Sequence, residues 1–467
     1  MSVAEGISFA TVAELGRMLR SGQISPTELT EHFLERLEQV GTPLNAVVTL
    51  TSELALAQAR QAEDELAAGI DRGPLHGIPY GAKDLLATAG IPTTWGAAPL
   101  QNQIVDRNAA VIVRLREAGA VLVAKLAMVE LAGGFGYEQP NAALTGPGKN
   151  AWDAEAWAGG SSSGSGAVVG AGAVPFAIGT ETWGSITVPA AYNGVSGLRP
   201  TYGRVSRRGA MALCWTLDKI GPLARTAEDC ATVLAAMAGP DPADVTTFAG
   251  TRFPSSGEAP ARFRFGILKG SVEAVRPDVR ANFEAALGVL AEFADLEEVT
   301  MRTLPYDAAA SLIVGVEAAA AFEEFIDEGG PLGLTAPEDR VGRVDGLTIT
   351  AVEYLRALRV RRVASREMDT LLAGFDAIVA PTLPTVASGI AERFDEHFVR
   401  DPTASLGAIG NLCGLPAISV PNGFGERALP TGLEFMGRAF EESRVIAAAA
   451  AYQARTDWHR RHPDIEG

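Results

Sequence analysis

Residues 157–180 read WAGGSSSGSGAVVGAGAVPFAIGT, and the interpretation of this run decides the fold. It spans 24 residues without a charge, and 11 of them are Gly or Ser. A membrane-crossing helix needs ~20 predominantly apolar residues, so this composition excludes a span. A flexible linker fails for the opposite reason, because AVVGAGAVPFAIGT is too hydrophobic to remain solvated. A nucleotide-binding loop requires a preceding strand, whereas NAWDAEAWA (Asn150–Ala158) is a polar turn region. The spacing of Gly164, Gly166 and Gly170 only approximates the dinucleotide fingerprint. What remains is a buried segment in which small residues let backbone and hydroxyl groups crowd together.

Outward from this run the chain alternates helices and strands. Thr11 with Glu14, and Ser25 with Pro26 and Glu28, carry the helix-start signature in which side chain and backbone satisfy each other's donors. A third helix is predicted from about Thr51 to Ala68. A helix from Asn108 leads through Gly119 into the strand Ala120–Lys125. Arg264–Leu268, Ala377–Ala380, Ala417–Val420 and Gly432–Phe435 read as strands, and Asp278–Phe293 and Ser443–Ala454 as helices. This pattern predicts an α/β fold, with a single large mixed β-sheet core flanked by many helices. Residues 1–467 are expected to form one domain on which the helices of 1–70 pack. FPSSGEAP (Phe253–Pro260) is the candidate linker within it.

Composition narrows the function. The 467 residues carry 39 basic and 56 acidic side chains, a formal charge of −17. Such a surface repels phosphate backbones and anionic lipid, so neither nucleic acid nor membrane is an expected partner. Cys214, Cys230 and Cys413 are widely separated and odd in number, which fits a reducing cytoplasm without a disulfide framework. The N-terminus lacks the basic and apolar regions of a secretory signal. Five histidines (His32, His76, His397, His459, His462) show no zinc-binding spacing, and His459 and His462 read as part of a solvated tail. Neither a metal nor a cofactor is expected.

Lys83, in GIPYGAKDLL, lies in an apolar, glycine-containing, strand-like stretch. A lysine in that setting is ordinarily a surface charge. Buried near hydroxyls it becomes a base, because desolvation disfavours the ammonium. Serine is a weak nucleophile until a base takes its proton, and Ser161 and Ser185 stand 24 residues apart at the two ends of the glycine-rich segment.

The segments GGSSSGSG and GTETWGSITVPAAYNGVSGLRPTYGRVSRRGAM resemble the signature of the amidase signature family. The likeness extends to GPLHGIPYGAKD, AGAVLVAKLAMVEL, NAWD, DKIGPLARTAEDCA, GLPAISVPNG and LPTGLEFMGRAFEE, nearly the whole chain. It implies the fold of that family and a triad of Lys83 as base, Ser161 after a cis peptide bond as relay, and Ser185 as nucleophile. It further implies an oxyanion hole from the backbone N–H groups of Thr182, Trp183, Gly184 and Ser185. Ser162 and Thr180 would hydrogen-bond the triad, and Ala132, Gly133, Gly134 and Phe135 would line the acyl site, with Tyr137 and Trp157 as further wall candidates.

Three positions depart from the family's usual pattern: Glu181, Trp183 and Thr187 replace Asp, Gly and Arg. Trp183 is either a wall of the site or plain core packing. The small residues at 132–134 are expected to leave room for a bulky acyl group. No clustered Arg or Lys near the motifs suggests an anion clamp, so an uncharged amide or carbamate is the expected small-molecule substrate, handled by a monomer or homodimer. The alternative within the family is the glutaminase A subunit of a tRNA-dependent amidotransferase, although AKLAMVEL departs from that protein's usual GKTNMDEF. A third reading, a non-catalytic nucleotide-binding protein, rests on the glycine-rich loop alone.

Overall fold

The computed structural model describes residues 3–250, 253, 260–342, 345–397 and 405–465. Of the expected linker, residues 254–259 lie outside the described residues. Eleven strands are described. They are β1 Val47–Leu50, β2 Pro79–Lys83, β3 Val121–Leu126, β4 Phe176–Glu181, β5 Ser196–Arg199 and β6 Lys219–Ala224. Then come β7 Phe263–Leu268, β8 Ala294–Val299, β9 Ala377–Pro381, β10 Ala417–Phe424 and β11 Pro430–Met436. They form one mixed sheet in the order β1-β3-β2-β4-β6-β5-β10-β11-β9-β7-β8. The expected α/β architecture, a large mixed sheet flanked by helices, is the one observed.

Local chemistry sets the helix starts. Thr11 and Ser25 each accept from the backbone N–H three residues on, while Glu14 and Glu28 reach back to the cap. The two helices they open, Val12–Arg20 and Pro26–Arg36, bury Leu15, Leu29 and Phe33 in the cluster that holds Tyr80 and Leu122 of the sheet. The glycine-rich run becomes the helix Ser163–Gly170, buried at every position, and then β4. Gly164 and Gly166 are required by proximity. A Cβ on Gly164 would sit 2.6 Å from the Ala127 nitrogen, and one on Gly166 would sit 2.8 Å from the Pro189 carbonyl. The space that a phosphate would need is filled by neighbouring chain, which removes the nucleotide-loop reading.

Two placements position the site. β2 runs parallel to β4, so their carboxyl ends, Lys83 and Glu181, emerge at the same edge of the sheet, the edge where ligands bind in such sheets. β6 runs antiparallel to β4 with Glu181 opposite Lys219, bringing the segment before β6 to that same edge.

The C-terminal segment corrects an expectation. His459 is buried and its imidazole is pushed down to about 4, mainly by desolvation. His462 stacks on Phe9 with ring centroids 3.9 Å apart. This tail is docked, not solvated, because its aromatic rings find apolar partners that adjacent charges in WHRRH conceal. Among the described residues no group of His, Cys, Asp and Glu could hold a metal ion. None of the described helices is long and apolar enough to cross a membrane.

Candidate active site

Lys83 ends β2 and is fully buried. Its Nζ donates to Ser161 Oγ at 2.7 Å and to Thr180 Oγ1 at 3.0 Å. Desolvation lowers its pKa to about 7, against the raising effect of Asp218 and Glu181 nearby. The Gly160–Ser161 peptide is cis. Ser162 locks this turn to β4: its Oγ donates to the Thr180 carbonyl and accepts from the Thr180 N–H, both at 3.2 Å.

Ser185 joins the group through backbone, with the Ser162 N–H donating to its carbonyl at 3.3 Å. Its side chain is nearly buried. Among the described residues no hydrogen bond links Ser185 Oγ to Ser161, so the side chains of Lys83 and Ser161 meet while that of Ser185 stands beside them. Apo sites often show such loose contacts. In the adjoining loop Gly184 adopts φ +84°, a left-handed conformation that suits glycine. No acceptor among the described residues engages the backbone N–H of Trp183, Gly184 or Ser185.

The loop is held from behind by groups whose role is not legible in the sequence. Glu181 Oε2 accepts from the backbone N–H of Ile186 at 2.9 Å and Thr187 at 3.0 Å. Its other oxygen meets Arg199 Nη1 at 2.7 Å and Asn411 Nδ2 at 2.9 Å. Burial alone would raise this carboxyl, but the Arg199 charge overrides it and holds the group down at about 2. Asp218 takes the hydroxyl of Thr182 at 2.5 Å and the N–H groups of Leu213 and Cys214. The motif DKIGPLAR contains Asp218, yet its contact with a residue 36 positions earlier depends on the β4–β6 register.

The four residues expected around the acyl group divide. Ala132 lines a cavity with Thr180 and Thr182. The space beside Gly133 is taken by the Tyr137 ring, and that beside Gly134 by Leu213 and Phe322. Phe135 is buried with Phe322 and Phe325 at centroid distances of 5.6 and 6.1 Å. Trp157 stacks on Phe394 at 4.5 Å, and Tyr137 meets the same ring edge-on at 5.3 Å. Trp183 is half-buried against the core.

Residues 28–446 match the Amidase family model, and the chain belongs to the amidase signature family. Among curated relatives it is similar to the A subunit of glutamyl-tRNA(Gln) amidotransferase from Roseiflexus castenholzii, 38% identical with 97% of each chain covered. The corresponding protein of Halorhodospira halophila is also 38% identical, over 97% of this chain and 99% of the relative. Among solved structures, the native peptide amidase of Stenotrophomonas maltophilia superposes with a TM-score of 0.84 at 31% identity, covering 98% of this chain and 99% of that one. The A subunit of glutamyl-tRNA(Gln) amidotransferase from Thermotoga maritima gives 0.79 at 29% identity, covering 96% and 95%.

Proposed function

We propose that this chain hydrolyses the carbon–nitrogen bond of an amide through an acyl ester on Ser185. The observation that carries the reading is a buried amine, Lys83, donating to Ser161 Oγ beside a loop of unengaged backbone N–H groups. Neutral Lys83 takes a proton by way of the Ser161 hydroxyl, and Ser185 Oγ attacks the carbonyl carbon. The oxygen of the tetrahedral intermediate meets the N–H groups of Thr182, Trp183, Gly184 and Ser185, where one donor is worth ~3–4 kcal/mol. The C–N bond breaks as the relay returns the proton to the nitrogen, releasing the amine. Water then adds to the ester and restores Ser185. Ser162 and Thr180 keep Ser161 and Lys83 in place, and Ala132 borders the substrate. The single continuous sheet supports treating the chain as one domain.

The relatives favour a narrower second reading, in which the substrate is glutamine and the chain is the A subunit of an amidotransferase acting on glutamyl-tRNA(Gln). The relatives from Roseiflexus castenholzii and Halorhodospira halophila both carry that name. Stand-alone hydrolysis of an aryl amide or a carbamate is supported by the likeness to a peptide amidase and by the acidic surface, which does not help tRNA contact. Release assays with glutamine, an anilide, an alkylamide and a carbamate, with Ser185→Ala as control, separate the readings. Glutamine turnover that rises with tRNA and a partner protein favours the amidotransferase. Turnover of simple amides by the chain alone favours the hydrolase. Equal rates for wild type and Ser185→Ala remove both.

A further inference from the structure

The fold brings Arg107 to the cations of residues 207–219. Arg107, Arg207, Arg208 and the buried Lys219 line a cavity of about 430 Å³, whose wall includes Thr180 and Thr182. Its interior is apolar, with Leu85, Met211, Leu213 and Ile220, and the exposed Trp215 and Val245 also border it. The acidic groups on the wall and beside it are already engaged. Asp218 accepts from Thr182, Leu213 and Cys214, Asp244 from Ser206, Arg207 and Thr246, and Asp241 neutralises Arg208 at 2.9 Å.

Arg207 is fixed in place. Its guanidinium lies over the rings of Tyr202 and Trp215, and Nη2 donates to Tyr202 and Thr246 at 3.0 Å. Its Nε is buried without a partner. Arg107 is exposed and makes no ion pair among the described residues. The cavity therefore offers an apolar interior bordered by Thr180, which touches Lys83, and an Arg107 guanidinium that no carboxylate pairs with among the described residues, while Arg207 lies within the field of Asp218 and Asp244. The cavity wall carries both Ala132, expected beside the acyl group, and Thr180, the second partner of Lys83; the amine half is assigned to this cavity because the proton returned to the departing nitrogen starts from Lys83.

We infer that this cavity is a leaving-group subsite for amines with an apolar body and a distal carboxylate, recognised by Arg107 and Arg207. The inference rests on the hydrolase reading of the same site. It departs from the expectation of an uncharged substrate, because the sequence alone does not place Arg107 and Arg207 at one cavity. The reaction remains amide plus water to acid plus amine, the amine here bearing the carboxylate.

Two measurements test it. The first compares kcat/KM for 4-acetamidobenzoate with that for acetanilide. Wild type should prefer the carboxylate by about tenfold, the scale of one charge-assisted hydrogen bond. Arg107→Ala should remove the preference and Arg107→Glu invert it. Arg60→Ala, which removes an exposed arginine of the helix Ser52–Ala67 that does not border the cavity, should leave it intact. A ratio near one in wild type, or one unchanged in Arg107→Glu, overturns the subsite. The second, calorimetric binding of 4-aminobenzoate against aniline, needs no turnover. Arg107-dependent preference for 4-aminobenzoate with neither anilide cleaved keeps the subsite and counts against the hydrolase reading. Equal binding of the two amines overturns the subsite whatever the enzyme cleaves.

Discussion

Glu181 and Arg199 form an ion pair at 2.7 Å with both side chains fully buried, directly behind the loop that carries Ser185. With Thr187 standing where the family usually has an arginine, the cation that meets position 181 comes from β5. The carboxylate also holds the N–H groups of Ile186 and Thr187, so it anchors the chain on the far side of the candidate nucleophile. Glu181→Ala leaves Arg199 as a buried charge whose remaining carboxylate is Glu434 at 3.6 Å, beside its 3.0 Å hydrogen bond to the Leu415 carbonyl. The expected cost is ~3–5 kcal/mol, read as a lower urea midpoint. Turnover measured well below that midpoint should also fall, since the loop loses its anchor.

The Lys83 amine predicts a pH profile. The base must be neutral, so kcat/KM should rise with pH along a limb centred at about 7. A limb centred near 10 would mean that the reacting base is not desolvated.

The same shift carries a stability consequence with a definite sign. The unfolded chain keeps the lysine proton up to about 10.5 and the folded protein only to about 7. Between those values the unfolded state binds more protons, so this group makes stability increase with pH across that window. Lys83→Met removes the buried amine while keeping its length. It should lower turnover by ~10²–10⁴-fold, the usual worth of a general base, and leave the thermal midpoint at pH 7 unchanged or higher.

Gly164→Ala tests why the run is rich in glycine. Its Cβ meets the Ala127 nitrogen at 2.6 Å and the Ala127 carbonyl at 2.8 Å, both backbone atoms that cannot swing aside. A loss on the order of 3 kcal/mol is expected in chemical denaturation. A neutral effect would reopen the interpretation of this segment as a ligand-binding loop.

Legibility in the sequence follows the range of the interactions. Thr11–Glu14 and Ser25–Glu28 act over three residues, so the helix starts can be read directly. Lys83, Ser161 and Ser185 become legible through long motifs, although their separation gives no local clue to contact. Arg107 and Arg207 are invisible as a pair because only the fold brings residues 100 positions apart to one cavity. Asp218 lies within a motif that gives it no role, since its partner Thr182 is set by strand register. The docking of His459 and His462 is hidden by the charges next to them. Gly133 and Gly134 signal space in the sequence, yet the space is occupied by Tyr137, Leu213 and Phe322, which no local reading supplies.

Whether Ser185 carries the acyl group is measured most directly by intact and peptide mass spectrometry after incubation with a slowly released aryl carbamate. The mass of one carbamoyl group should appear on the peptide containing Ser185, and should be absent in Ser185→Ala and strongly slowed in Lys83→Met. Turnover of amide by Ser185→Ala at the wild-type rate, with no adduct at that position in the wild type, would contradict it.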